Sequence, residues 1–268
     1  MSLSVALAQV NSTADPQANL QLVAEQVVAA AGQQADLLVL PEAMMRAFGN
    51  ELASVAEPLD GPWATRVSEL AVEHKITVVA GMFTPDGERV RNTLIACGPD
   101  GTVTGYDKIH LYDAYGFTES ETVAAGEGPV LITVNGTTIG LTTCYDLRFS
   151  ELYVDLARRG AEVIVVAASW GQARGKAEQW DVLCRARALD SGSWVLACGQ
   201  ADPAAGSHGI EGPSKAPTGV GHSQVVSPYG VPVVMAGDRP EMLITTIEPS
   251  MAQQARRTLG VLANRRLL

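Results

Sequence analysis

The sequence predicts an α/β protein in which two sheets pack face to face with helices outside. Three observations predict it. Short apolar runs rich in β-branched residues alternate with segments of helical period, and hairpin-like stretches interrupt that alternation. No internal repeat or interdomain linker divides the 268 residues, so one domain over residues 1–268 is expected. The hairpins make the sheets mixed rather than purely parallel.

The elements follow in order. Val5–Val10 is a short apolar strand, ended by Asn11-Ser12-Thr13. Asp15-Pro16 signals a helix start, and Leu20, Leu22, Val23, Val27 and Val28 recur at helical spacing up to Gly32. Asp36–Leu40 reads as a buried strand ending in Pro41-Glu42. A second helix runs from about Gly61-Pro62 to His74, and Ile76–Met82 is a strand. Asn92–Tyr106 reads as a hairpin about a Pro99-Asp100-Gly101 turn, and Val130–Val134 with Thr138–Thr143 as another about Asn135-Gly136. Cys144 follows directly. Ser150–Arg159 is a helix closed by Gly160, Val163–Ala168 a strand, Ala173–Asp190 a helix and Trp194–Cys198 a strand. Ala201–Thr218, rich in Gly, Pro, Ser and Ala, reads as a mobile loop. Strands resume at Ser223–Ser227, Val231–Met235 and Met242–Ile247, before a short helix and a basic tail.

Composition narrows the function classes. Hydrophobic residues at 47% and charged residues at 18% fit a compact soluble globule. A net charge of −10 with no run of Lys or Arg argues against nucleic acid as a partner. No stretch is long and apolar enough to span a bilayer, and Met1–Ala8 lacks the basic and apolar regions of a secretory signal, so a cytoplasmic location is expected. The four cysteines (97, 144, 184, 198) and four histidines (74, 110, 208, 222) form no metal-ligand spacing, and neither a metal nor a cofactor is expected.

Three polar residues stand where strands end, which is where α/β folds place their sites: Glu42, Lys108 and Cys144. A cysteine on a turn after a strand is presented above the sheet edge, near backbone N–H groups that can hold an oxyanion. A nearby helix N-terminus and lysine are expected to favour its thiolate. Taken singly, each has a duller explanation: a solvated Glu, a surface Lys, a core Cys. Their joint occurrence in specific contexts changes the odds.

Leu40-Pro41-Glu42, Tyr106-Asp107-Lys108-Ile109-His110-Leu111-Tyr112 and Thr143-Cys144-Tyr145-Asp146-Leu147-Arg148-Phe149 resemble, in order and spacing, the three signatures of the nitrilase (carbon–nitrogen hydrolase) superfamily. Gly116-Phe117-Thr118-Glu119-Ser120 resembles the segment that carries the family's second glutamate, and the likeness continues through Trp180–Leu189 and Gly221-His222-Ser223. The resemblance implies a four-layer α-β-β-α sandwich. It also implies a homodimer formed across the helices around 150–159 and 173–190. Glu42 would be the base, Cys144 the nucleophile, and Lys108 with the Tyr145 N–H the oxyanion partners. Glu119 would orient Lys108 or assist proton movement. Cys-Tyr-Asp-Leu-Arg-Phe looks most like the ω-amidase and deaminated-glutathione-amidase branch, although Ser150 replaces that branch's usual Pro and Ala168-Ser169-Trp170 its usual Pro-Ser-Ala-Phe-like segment.

The expected reaction is hydrolysis of a small linear ω-amide to ammonia and a carboxylate through a thioester. Alternatives on the same fold are nitrile or N-carbamoyl hydrolysis and acyl transfer. Arg148 either binds a substrate carboxylate, pairs with Glu151 or contacts a second copy. Trp170, Tyr115 and Phe117 either shape the pocket or simply pack. His110 and His222 read as structural hydrogen-bonders, since Glu42 already fills the role of base.

Overall fold

A computed structural model describes residues 2–205 and 216–266. Its first half comprises β1 (Leu3–Gln9), α1 (Pro16–Gly32), β2 (Leu37–Val39), α2 (Pro62–His74), β3 (Thr77–Asp86), β4 (Arg89–Cys97), β5 (Val103–Asp107) and β6 (Val123–Ala124). The second half comprises β7 (Leu131–Val134), β8 (Thr137–Thr143), α3 (Ser150–Arg158), β9 (Val163–Ala168), α4 (Lys176–Ser191), β10 (Trp194–Gly199), β11 (Gln224–Val226), β12 (Pro232–Met235), β13 (Glu241–Ile247) and α5 (Met251–Leu259). The helix signals act as read. The Asp15 carboxylate accepts from the Gln17 N–H at 2.9 Å with Pro16 in the first turn of α1. Ser150 opens α3, a position that accommodates Ser and Pro alike.

Two mixed sheets result. One has the order β13-β1-β2-β3-β4-β5, with β6 added beside β4, and the other β12-β11-β10-β9-β8-β7. Each contains three parallel strands (β1, β2, β3 and β8, β9, β10) flanked by antiparallel ones. Alternation along the strands sends one set of side chains between the sheets: Val5, Leu7, Leu37, Val39 and Val79 meet Leu141, Val165, Leu196 and Cys198. The opposite faces pack under helices. Val23, Val27, Val67 and Leu70 of α1 and α2 cover the first sheet, and Leu152, Leu156, Trp180 and Cys184 of α3 and α4 cover the second. Three apolar layers between four layers of structure make the α-β-β-α sandwich.

Three details depart from the sequence reading. β3 continues to Asp86 and β4 starts at Arg89, so a long ribbon precedes Asn92; its tip carries Thr84, Asp86, Arg89 and Arg91, and this polarity hides the strand period. The two-residue strand β6 was not foreseen. α4 begins at Lys176 rather than Ala173, because Gly175 takes a left-handed backbone (φ 79°) that the helix cannot continue through. Of the loop expected over Ala201–Thr218, residues 206–215 lie outside the described residues. Among those described, no helix is long and apolar enough to cross a membrane.

All four cysteines are free and buried. Burial pushes the Cys97 thiol up to about 12 and raises Cys184 and Cys198 as well. A raised acid pKa means that the folded state holds the proton more tightly than the unfolded chain. The resulting stability is complete below the unfolded thiol pKa, about 8.5, and is lost as pH climbs from there toward the folded value, at about 1.4 kcal/mol per pH unit per thiol. Urea titrations between pH 8.5 and 10.5 are therefore expected to show a steep alkaline loss. Cys97→Ala should flatten that slope by about one thiol's share, and an unchanged slope would show that Cys97 ionises freely in the native state.

Candidate active site

The site sits at one edge of the sandwich, where β2, β5, β8 and β9 all end. β5 runs in the direction of β3 because two antiparallel pairings separate them, so its carboxyl end reaches the same edge. Past β2, Leu40 and Pro41 carry the chain to Glu42, and Ala43 turns it with φ 59°. That turn lies directly on Gly81 of β3, where no Cβ would fit against the Glu42–Ala43 backbone. The Gly81 N–H donates to the Pro41 carbonyl at 3.2 Å and the Gly81 carbonyl accepts from the Met45 N–H at 2.9 Å. Lys108 is held in the same way: its N–H donates to the Asn92 carbonyl at 2.9 Å and its carbonyl accepts from the Gly126 N–H at 2.8 Å. Gly126 lies too close to the Asp107 carbonyl to carry a side chain.

Cys144 leaves β8 in a left-handed conformation (φ 45°) and opens the 3-10 turn Cys144–Arg148. A non-glycine residue in that region persists only when its surroundings over-determine it. Here Asp146, fully buried, accepts from the Thr143 N–H (2.9 Å), the Tyr106 hydroxyl (2.6 Å) and the His110 N–H (3.0 Å), with His110 Nδ1 at 2.7 Å. Arg187 of α4 reaches the end of the turn and donates to the Leu147 and Arg148 carbonyls at 2.7 and 3.1 Å. His110 and His222 are structural hydrogen-bonders as expected, the latter between Asp181 and Asp238.

At the centre the Lys108 Nζ lies 3.1 Å from Glu42 Oε1 and 2.9 Å from Glu119 Oε2. Asn92, which the sequence reading missed, donates its one amide NH₂ to both glutamates, at 2.7 and 3.2 Å. The other Glu42 oxygen accepts from the Ser169 N–H at 2.7 Å, and Glu119 accepts from the Tyr112 N–H at 2.6 Å. The Cys144 Sγ faces the Ser169 carbonyl at 3.8 Å. Glu42 and Lys108 are 1% and 2% exposed, so these contacts act where water does not screen them. Burial pulls the Lys108 ammonium down, but Glu119 and Glu42 outweigh it and hold the pKa well above the ordinary lysine value. Cys144 moves the opposite way from the expectation. Burial and the Glu42 carboxylate raise its pKa well above the usual thiol range despite Lys108, and the helix α3 starts only six residues later. The resting group is a neutral thiol.

These residues line a cavity of about 620 Å³, within the range of small-molecule sites. Glu42, Lys108, Glu119 and Cys144 meet in it, and Phe117, Tyr145 and Trp170 form part of its wall. Two other expected residues do not reach it. Arg148 stands behind the wall, stacked on Tyr145 and Trp170 and donating to Gln179 at 2.7 Å, without an ion pair to Glu151. Tyr115 is 63% exposed and packs outside Tyr112. In their place the wall holds Lys176, Tyr112, Phe48 and Pro217. Lys176 was hidden inside the first turn of a helix placed three residues too early.

A sandwich of this kind, with its cavity at the shared edge of both sheets, belongs to the α-β-β-α hydrolases that cleave carbon–nitrogen bonds. The model of the carbon-nitrogen hydrolase family matches residues 4–257, and the chain belongs to that family. It is an amidase acting on carbon–nitrogen bonds other than peptide bonds. The chain is 54% identical over 267 residues to a hydrolase of Mycobacterium tuberculosis H37Rv, covering 98% of this chain and 95% of that one. It is 33% identical to the deaminated glutathione amidase of Escherichia coli O157:H7, covering 79% and 76%. Among solved structures it is similar to a Saccharomyces cerevisiae protein of branch 10 of the nitrilase superfamily, with a TM-score of 0.84, 28% identity and coverage of 99% and 97%.

Proposed function

We propose that the protein hydrolyses a small linear ω-amide by a thioester mechanism centred on Cys144. The observation that carries the reading is one buried ammonium, Lys108, held between two carboxylates in the cavity that contains the thiol. Because the thiol rests protonated, its proton must leave during attack, and Glu42 is the adjacent base. The sulfur adds to the amide carbon while Lys108 and the Tyr145 N–H, in the first turn of a 3-10 segment, receive the developing oxyanion. Glu42 returns the proton to the departing ammonia, leaving an acyl-thioester. Water, deprotonated by Glu42, then releases the carboxylic acid and restores the thiol. Glu119 and Asn92 fix Lys108 and Glu42 relative to each other.

Ammonia release from the purified protein across ω-amides, aliphatic nitriles and N-carbamoyl compounds tests the reading. ω-Amides are expected to give the highest kcat/KM, and added hydroxylamine should divert part of the product to a hydroxamate. Turnover of nitriles or carbamoyl compounds with none of amides would overturn it.

A further inference from the structure

The mechanism leaves three charged residues of the cavity lining unused: Glu51 and Glu88, both exposed, and Lys176, which is buried. Lys176 is 4% exposed and lines the same cavity as Cys144, yet takes no part in the Glu42–Lys108–Glu119 cluster. Its ammonium stands among three rings, 4.3 Å from the Tyr115 centroid, 4.9 Å from Trp170 and 5.3 Å from Tyr112. Among the described residues its one polar side-chain contact is the Tyr112 hydroxyl at 3.4 Å. Among the described residues no carboxylate lies within ion-pair distance of it; the buried lysine next to the thiol, Lys108, has two.

Three features of the site work against a cation there. Burial lowers its pKa. Lys176 is the first residue of α4, where the exposed backbone N–H groups already give positive potential. Arg148, which has no carboxylate partner among the described residues, stacks against the same Trp170 ring at 5.0 Å. The Lys176 backbone is fixed as well, since its carbonyl accepts from the Trp170 indole N–H at 2.9 Å. An anion bound beside Nζ would relieve all three costs together.

We propose that Lys176 is the specificity-determining residue of the cavity, receiving a carboxylate at the far end of an acyl chain whose amide lies at Cys144. Charge along the cavity supports that orientation. The reacting end holds two buried carboxylates against one ammonium and repels a further one, whereas the other lining carboxylates, Glu51 and Glu88, are exposed and neither pairs with Lys176. The proposal rests on Cys144 being the nucleophile of the amidase.

Monoamides of four- and five-carbon dicarboxylic acids and their methyl esters test it, in the wild type, Lys176→Met and Lys176→Arg. The wild type should favour the acid over the ester. In Lys176→Met the acid-to-ester ratio of kcat/KM should fall roughly 10- to 100-fold, the range of one charge-assisted contact, mainly through KM for the acid. Lys176→Arg should restore part of it. A ratio cancels any loss of folded protein, so an equal ratio in wild type and Lys176→Met overturns the proposal whatever the absolute rates. Calorimetric binding of the same acid amides to Cys144→Ala, with and without Lys176→Met, separates the two readings. Lys176-dependent binding, combined with a wild type that turns over no amide, would sink the amidase mechanism and leave the anion site standing. Binding indifferent to Lys176 would remove the site itself.

Discussion

Cys144→Ala is expected to lose amide turnover by a factor on the order of 10⁴–10⁶, the scale at which removal of a nucleophile leaves only binding and oxyanion stabilisation. The fold should survive, because the thiol's hydrogen bond to the Ser169 carbonyl is weak and Asp146 rather than the thiol holds the turn. Cys97→Ala, in β4 and away from the cavity, should keep its turnover. Glu42→Gln is the companion variant. It keeps the shape but cannot take the proton of a thiol whose pKa is raised, and a loss of roughly 10²–10⁴ in kcat is expected. An electrophilic amide analogue should label Cys144 alone, as read by peptide mass spectrometry. Substantial activity in Cys144→Ala would place the chemistry elsewhere.

Lys108→Met is expected to have the largest effect on stability. Lys108 is the one ammonium between the Glu42 and Glu119 carboxylates, and its removal leaves two buried like charges sharing the Asn92 amide. Breaking a buried pair from one side costs about 3–5 kcal/mol, and here the cost should sit at that end or above. It should also depend on pH: at neutral pH the two carboxylates repel, and on acidification a proton shared between them relieves the repulsion, so the deficit relative to wild type narrows. Urea midpoints at pH 7.5 and 5.5 read this directly. An equal deficit at both values would mean that lost packing, not charge, is the cause. The double variant Lys108→Met with Glu119→Gln should recover part of the stability without restoring turnover.

The sequence was informative where chemistry coincides with a local boundary. Glu42, Lys108 and Cys144 each stand just past the end of a short strand, and that position sets a side chain at a sheet edge whatever the rest of the fold does. Their motifs brought Glu119 with them. Asn92 was illegible because it stands inside a strand, before the apolar run Leu94–Cys97, and only the pairing of β4 between β3 and β5 shows that its side chain lies between two glutamates. Lys176 was illegible for a different reason. Its neighbours Ala173 and Ala177 are good helix formers, and a lysine in a helix reads as solvated unless Gly175 is seen to start the helix there and Trp170 to fold over it. Arg148 was the reverse error: adjacency to the nucleophile in sequence suggested adjacency to substrate, but the 3-10 turn points its guanidinium behind Trp170. The thiolate expectation failed because it counted the lysine and omitted the burial and the carboxylate beside it.

The strand order of the first sheet also has a consequence for how the chain is made. β1 lies between β2, which follows it closely, and β13, which pairs with it antiparallel from Leu3↔Ile247 to Gln9↔Glu241. On a ribosome, therefore, one side of β1 keeps an open row of N–H and C=O groups until residues 241–247 have emerged. Pairings this distant in sequence form late and slowly, and an open strand edge is a template for the wrong partner in the meantime. Nascent chains stalled short of residue 241 should thus be the aggregation-prone species, held in solution by chaperones, and release past Ile247 should be the step that lets the sheet close.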